Sequence, residues 1–249
     1  MTRDIYDLLV SRARSVEPLR RMLLGLNWSV AQVQASGLCF SPIDPPRTLR
    51  FPGTLAGRPA EELAPWIRSF DPCEAAVGCA VINAVINHDA NACLRRAVPL
   101  ASTVAPHLAV FDRFSAETKD AHVVVVGQYP GLDELWRGRA YTCLERRPSP
   151  GTLPDTAAES LLPKADWVFL TASALANKTL PRLLELSRPA RVVLMGPSLP
   201  WVDEWGDFGV EFLAGAIVRD AERLFQIAGE GGGTRIFDDA IGYRLHKLA

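Results

Sequence analysis

The second half of the chain alternates short apolar runs with segments of helical periodicity. Residues 122–127 (HVVVVG) form a continuous apolar run ending in glycine, which is typical of a strand buried on both faces. Further strands are predicted over 140–144, 166–171, 191–196 and about 215–218, and helices over 156–162, 173–186 and 220–228. Strands that alternate with helices predict an α/β fold with a doubly wound, mostly parallel sheet.

The first half has a different pattern, which predicts a small α+β domain. Apolar positions from Asp4 to Leu24 are spaced as in an amphipathic helix, which Pro18 could interrupt. Asp71 precedes a long apolar helix as its N-cap. Two strands are predicted within 27–40 with a turn at Ser36-Gly37, followed by a proline-rich loop over 41–57, a helix over 59–68 and a helix over 101–113 near the boundary. We therefore expect an α+β domain over 1–100 and a sheet domain over 101–249.

Composition narrows the classes of partner. The 249 residues carry 27 Lys and Arg against 28 Asp and Glu, a net charge of -1, which gives no field for a polyanion such as nucleic acid. The segment 75–87 is shorter than the roughly 20 apolar residues of a membrane span, and the first fifteen residues lack the apolar core of a signal peptide. We expect a cytoplasmic protein that binds no membrane.

Cysteine usage agrees with a reducing compartment. The five cysteines are scattered and form no CxxC pair, so a four-cysteine zinc site is excluded and buried, reduced thiols are expected. His107, His122 and His246 are isolated in the sequence, and no metal-ligand spacing is convincing. Neither GxGxxG nor GxxxxGK[ST] is present, which disfavours a standard nucleotide site.

Candidate chemistry is placed by the rule that ligands of open α/β sheets bind beyond the carboxyl ends of strands. Four polar or Gly/Pro-rich segments follow the predicted strands, at 127–131, 145–148, 171–179 and 196–200. They predict one shared crevice. Glu145 could be a metal ligand or general base with a neighbouring arginine as anion clamp, or these residues could form a surface ion pair.

Two further groups of polar residues could either bind a ligand or serve the structure. Ser173 could cap the next helix and, with Lys178, bind a carboxylate or phosphate at its N-terminus, or it could be a plain cap. Asn83 and Asn87 lie four residues apart on one face of an apolar helix. Buried amides need partners, so they either pair with backbone across the core or reach a ligand in the crevice.

The ordered set of segments resembles one family. NAVIN, VVVVGQYP, LERRP, LLPKADWVFLTASALANKT, VVLMGPSLP and LAGAIVRD resemble, in this order, the bacterial and archaeal heavy-metal chelation domain family, a family of unknown function. The resemblance implies a Rossmann-like domain preceded by a companion domain like the enolase N-terminal fold. It also implies a polar cleft between them. The residues that match the family's motifs are Asn83, Asn87, Gly127, Tyr129, Glu145, Arg146, Ser173, Asn177, Lys178, Thr179, Gly196, Pro197, Ser198 and Asp220.

Three function classes remain in competition. The first is a binding protein that holds a heavy or transition metal ion, or an anionic metal-bearing small molecule, in the cleft, with Glu145 as metal ligand and the other matching residues as ligand-binding groups. The second is a lyase or transferase acting on a small anionic metabolite, with Lys178 or Glu145 as acid/base group. The third is a homodimeric module that binds a protein partner through an exposed apolar patch.

Overall fold

The N-terminal part contains a three-stranded antiparallel sheet packed on helices. The computed structural model describes residues 4–248. A first helix, α1 (Ile5–Arg12), precedes the strands β1 (Arg21–Leu24), β2 (Trp28–Gln32) and β3 (Ser36–Phe40), which pair in that order. The helices α2 (Ala60–Leu63), α3 (Pro72–Ile86) and α4 (Ala92–Arg96) follow, with a 3-10 turn over Ala64–Arg68.

The C-terminal part is built on an eight-stranded sheet. Its strands are β4 (Val98–Pro99), β5 (Val123–Val126), β6 (Thr142–Glu145), β7 (Thr152–Pro154), β8 (Trp167–Thr171), β9 (Arg191–Gly196), β10 (Val210–Val218) and β11 (Ile241–Lys247). Their spatial order is β4-β11-β10-β9-β8-β5-β6-β7. All neighbours from β7 to β10 are parallel, and β11 and β4 add antiparallel pairs at one edge. The predicted mostly parallel, doubly wound sheet is confirmed.

Short helices connect these strands. They are α5 (Ala109–Arg113), α6 (Leu132–Leu135), α7 (Ala158–Leu161), α8 (Leu180–Leu186), α9 (Ala221–Gly229) and α10 (Ile236–Asp239). The 3-10 turns are Pro106–Leu108, Asp155–Ala157, Leu162–Lys164, Ala172–Leu175 and Asp203–Phe208.

Three predicted helices differ from the structure. The helix expected over 4–24 ends at Arg12, and Leu19 instead donates its N–H to the carbonyl of Arg58 before β1 begins. Proline at position 18 cannot donate a helical hydrogen bond, and pairing with β2 satisfies the backbone that follows. The helix expected over 101–113 is limited to the 3-10 turn that starts at Pro106 and to α5.

The helix expected over 173–186 is also interrupted. A 3-10 turn covers Ala172–Leu175, and α8 starts only at Leu180. Between them Lys178 adopts a φ of 70°, a left-handed conformation that is uncommon for residues other than glycine. Ser173 therefore does not cap α8, while the binding of an anion by Ser173 and Lys178 stays a prediction.

The turn between β2 and β3 also lies elsewhere. It covers Val33–Ala35, where the N–H of Val33 donates to the carbonyl of Ala35. Gly37 is instead paired with Ala31 inside the sheet. A Cβ on Gly37 would lie 2.1 Å from the backbone nitrogen of Ala84, so this glycine lets β3 lie directly on α3.

The two parts share their apolar cores. Residues of α1 and α3 pack in one cluster with residues of β8 and β9, among them Leu9, Val81, Leu170 and Leu194. On the other face, Trp28 and Leu38 of the small sheet pack with Phe212 and Ile227. The predicted division at residue 100 and the likeness of the first part to enolase stay predictions.

Candidate functional site

A cleft of about 1070 Å³ lies between the small sheet and the carboxyl ends of the parallel strands. Its walls come from the ends of β5, β6, β8 and β9 on one side and from the segment 40–44 after β3 on the other. Strand β5 has β6 on one side and β8 on the other, so the chain reverses its winding direction between β5 and β8. Ligands of doubly wound sheets bind at such a switch point.

Glycines keep the backbone close at the switch point. Gly127 follows β5 with a φ of 101°, and Gly196 ends β9 with a φ of 112°. Residues that carry a side chain rarely adopt these φ angles. A Cβ on Gly127 would lie 3.2 Å from Cγ2 of Thr171.

Hydroxyl groups line the cleft beside these glycines. The hydroxyls of Thr171 and Ser173 are 2.9 Å apart, and burial raises the pKa of the neighbouring Tyr129 hydroxyl to about 12. The floor of the cleft therefore carries uncharged hydroxyl groups.

Glu145 joins two of the loops that line the cleft. Its Oε2 accepts a hydrogen bond of 3.0 Å from the N–H of Gln128, after β5. Its Oε1 accepts bonds of 2.8 and 3.4 Å from the N–H groups of Arg146 and Arg147. This geometry gives the carboxylate an observed task, which is to hold the loops after β5 and β6 together; its role as metal ligand stays a prediction.

Three arginines that line the cleft are paired with acids. Arg146 Nε lies 3.5 Å from Oδ2 of Asp155, and Arg182 binds Glu159 and Glu185. Arg147 pairs with Asp44 and so connects the loop after β6 to the loop after β3 across the cleft. These pairs leave the guanidinium groups largely neutralised by neighbouring acids.

Lys178 differs from these arginines. Among the described residues no carboxylate oxygen lies within 4.0 Å of its Nζ, which donates to the carbonyl of Ala176 at 3.0 Å and lies 5.5 Å from the ring centre of Tyr6. Burial lowers the pKa of its ammonium group. Lys178 therefore differs from the three cleft arginines in having no carboxylate partner among the described residues, and its binding of an anion stays a prediction.

The two predicted amides serve the structure instead of lining the cleft. Asn83 is fully buried, and its Nδ2 donates to the carbonyls of Leu38 and Ser198 at 2.7 and 3.0 Å. Asn87 donates to Leu199 and accepts from the N–H of Trp201, both at 2.9 Å. The pairing with backbone across the core, which the sequence left as one alternative, is what the structure contains. Their amides fasten the loop after β9 to α3.

The remaining predicted residues divide in the same way. Asp220 caps α9, where it accepts from the N–H of Arg223 at 2.9 Å, and it does not line the cleft. The predicted residues that line it are Gly127, Tyr129, Glu145, Arg146, Ser173, Asn177, Lys178, Thr179, Gly196, Pro197 and Ser198.

The opposite wall of the cleft was not predicted from the sequence. Phe40, Ile43 and Asp44 line the cleft, with Phe40 37% and Ile43 53% exposed. Phe40 ends β3, and the other two lie at the start of the proline-rich segment, which carried no chemical signal of its own. The available hint is two large apolar residues close together, Phe40 at the end of β3 and Ile43 in the loop after it, since neighbouring exposed apolar side chains can mark a binding site.

Metal-ligating groups meet at a place other than the cleft. Among residues 4–248, the only group of three His, Cys, Asp or Glu side chains with donor atoms within 4.8 Å of one another is Cys93, Asp203 and His246. None of these three lines the cleft. The cleft therefore does not offer a bare metal ion a preformed set of three such donors. All five cysteines are buried and free, as predicted.

Comparison with known proteins identifies the family. No described helix is long and apolar enough to cross a bilayer. None of the curated proteins compared with the chain matches it. A crystal structure of a DUF364-family protein of unknown function from Desulfitobacterium hafniense is 30% identical, with a TM-score of 0.85 over 98% of this chain and 97% of that one. Another of unknown function from the same family, from Pyrococcus horikoshii, is 20% identical, with a TM-score of 0.75 over 98% of both chains, and shows the fold.

Family models match both parts. Residues 6–86 match the DUF4213 model and residues 109–247 the DUF364 model. Both models carry the description "Putative heavy-metal chelation". The second match and the Desulfitobacterium structure show that this chain belongs to the DUF364 family.

Proposed function

We propose that the chain binds a metal-bearing organic molecule with an anionic group in the cleft at the switch point of the sheet. The observation that carries the proposal is Lys178, a half-buried cation that faces no carboxylate within 4.0 Å among the described residues. An anionic group of the ligand would replace its missing counter-ion.

The walls of the cleft support an organic ligand. Trp28, Phe40, Ile43 and Tyr243 line it together with the polar strand ends. Pockets for organic molecules combine apolar walls with a few polar groups, and a volume near 1000 Å³ suits a large one. A bare ion needs no such wall. Because no three His, Cys, Asp or Glu donors meet there among residues 4–248, the metal would arrive already held by the organic part.

Native mass spectrometry and elemental analysis test the proposal directly. The protein is purified without a metal-affinity resin, and we expect an organic molecule and a metal at equal occupancy. Lys178→Met should lower the affinity about tenfold or more, because hydrogen bonds to charged groups contribute roughly 1.5–3 kcal/mol, and the occupancy after purification should fall with it. Lys119→Met, at an exposed position outside the cleft, is the matched control. Metal without an organic molecule, or unchanged occupancy in Lys178→Met, would contradict the proposal.

A second candidate is an enzyme that acts on a small anionic metabolite in the same cleft. It is favoured by the lowered pKa of Lys178, since a lysine that releases its proton more readily can act as general acid or base. Incubation with phosphorylated and carboxylated metabolites, followed by NMR, separates the two functions. Turnover that is lost in Lys178→Met but kept in Lys119→Met would favour the enzyme.

A further inference from the structure

We infer that Cys93, Asp203 and His246 form a separate site that binds a divalent transition-metal ion. Their Sγ, carboxylate oxygen and imidazole nitrogen lie within 4.8 Å of one another. This site is distinct from the cleft and goes beyond the function proposed above.

The spacing of the donors fits one ion. Nε2 of His246 lies 3.8 Å from Oδ1 of Asp203. Ligands at about 2.0–2.3 Å from a tetrahedral ion are separated from each other by roughly 3.3–3.8 Å. Small side-chain movements would therefore bring all three donors into the first coordination shell.

The fold holds the backbone of all three donors in place. Cys93 lies on α4, Asp203 begins the 3-10 turn after β9, and His246 lies on β11. Arg244 of β11 donates to the carbonyls of Leu94 and Ala97 at 3.5 and 3.3 Å, which ties β11 to α4.

A second bond ties α4 to the loop before Asp203. Asn91, the N-cap of α4, donates through Nδ2 to the carbonyl of Trp201 at 2.9 Å. Because three secondary-structure elements hold the backbone of the donors in place, less conformational entropy is lost when the ion binds.

The chemistry of the donors selects the class of metal. One thiolate, one imidazole and one carboxylate form the mixed set that suits Zn²⁺ or Co²⁺ better than Mg²⁺ or Ca²⁺, which prefer oxygen. Cys93 is buried and the His246 side chain is 14% exposed, whereas that of Asp203 is 52% exposed. One side of the ion would face solvent and keep a water molecule. Cys93 releases its thiol proton to solvent when the ion binds.

Arg96 supplies an internal test of the site. Its guanidinium contacts Asp203 and its side chain is half exposed, so its charge opposes a cation at this place. Glu204, a second carboxylate beside the site, is paired with Arg12. Removal of the Arg96 charge should therefore strengthen metal binding.

Titration of the metal-free full chain with Co²⁺ tests the inference. We expect one bound Co²⁺ with a thiolate-to-cobalt charge-transfer band. Cys93→Ala should abolish the band, and His246→Asn, which leaves the cysteine in place, should lower the affinity by about 100-fold or more. Cys73→Ala, at another buried free cysteine, should keep the band, as should Lys178→Met in the cleft. Circular dichroism checks that each variant is folded.

Arg96→Met should raise the Co²⁺ affinity several-fold, while Arg95→Met, at an exposed neighbour on the same helix, should leave it unchanged. Three results would overturn the inference: no charge-transfer band in the natural chain, a band that persists in Cys93→Ala, or a band that is lost in Lys178→Met. A folded His246→Asn variant with unchanged affinity would also overturn it.

Discussion

Glu145 and Lys178 both line the cleft but differ in what their side chains contact. Glu145 accepts three backbone hydrogen bonds and shapes the loops, whereas Lys178 faces the cleft without a carboxylate partner within 4.0 Å among the described residues. Both followed predicted strands, and sequence position alone could not separate their tasks. The difference depends on which backbone N–H groups the carboxylate reaches, and this is a property of the folded loops.

At the residue scale, Glu145→Ala should lower the free energy of unfolding by about 1–2 kcal/mol, because three N–H groups lose a shared acceptor. Urea unfolding measures the change. Glu61→Ala, at an exposed glutamate outside the cleft, should change stability by less than about 0.5 kcal/mol. Equal stability of Glu145→Ala and the natural chain would show that water replaces the carboxylate without cost.

At the scale of elements, the contact of β3 with α3 depends on small residues. Gly37 of β3 lies so close to α3 that a Cβ would meet the nitrogen of Ala84 at 2.1 Å and the carbonyl oxygen of Ala80 at 2.4 Å. Backbone atoms of a helix cannot move away as a flexible side chain can. The apolar pattern of 72–86 predicted a buried helix correctly, but nothing in the pattern identified its partner strand.

Gly37→Ala should therefore lower the free energy of unfolding by about 3 kcal/mol or more through overpacking. Gly206→Ala is the matched control, because its Cβ would meet only Leu248 side-chain atoms at 4.0 Å. Thermal and urea unfolding of both variants check the expectation. A change below about 1 kcal/mol in Gly37→Ala would mean that β3 and α3 can separate easily.

An ion pair joins the start of β9 to the start of the neighbouring strand β10. Nε and one terminal nitrogen of Arg191 donate to the two oxygens of Glu211 at 2.8 and 2.7 Å. This contact lowers the pKa of Glu211. A carboxylate with a lowered folded-state pKa stabilises the fold above its unfolded-state pKa, and the contribution is lost as the pH falls through the folded-state value.

Glu211→Gln should therefore destabilise the protein at pH 7 but less at about pH 3, where the carboxylate of the unfolded chain is already protonated and the contribution of the lowered pKa is being lost. Urea unfolding of both chains at the two pH values provides the comparison. A stability difference that stays the same at low pH would indicate packing of the side chain, and not its charge, as the cause.

At the scale of the whole molecule, the two sheets are joined by common cores. One cluster contains Leu9 and Ile67 from the first part and Leu170 and Leu194 from the second. Burial of apolar surface across this junction stabilises both parts at once. A division into two independent folding units, which the change in sequence pattern suggests, would expose that surface.

We therefore expect the full chain to unfold in one transition. Tryptophan fluorescence and far-ultraviolet circular dichroism should give the same urea midpoint. A fragment of residues 1–100 should lack a cooperative transition, because its half of the shared core would be exposed. Separate midpoints, or a cooperatively folded fragment, would support two independent domains.

The sequence by itself determined the alternation of strands and helices, the Asp71 cap, the buried free cysteines and the family. These properties depend on local periodicity, capping chemistry and the order of motifs, all of which can be seen in the amino-acid sequence without knowledge of long-range contacts. Only the tertiary structure decided that Asn83 fastens a loop, that segment 40–44 forms a wall of the cleft, and that the histidine at 246 meets the cysteine at 93 and the aspartate at 203. Donors that lie 43 to 153 residues apart have no spacing signal, because the strand order that brings them together is set by packing of the whole sheet.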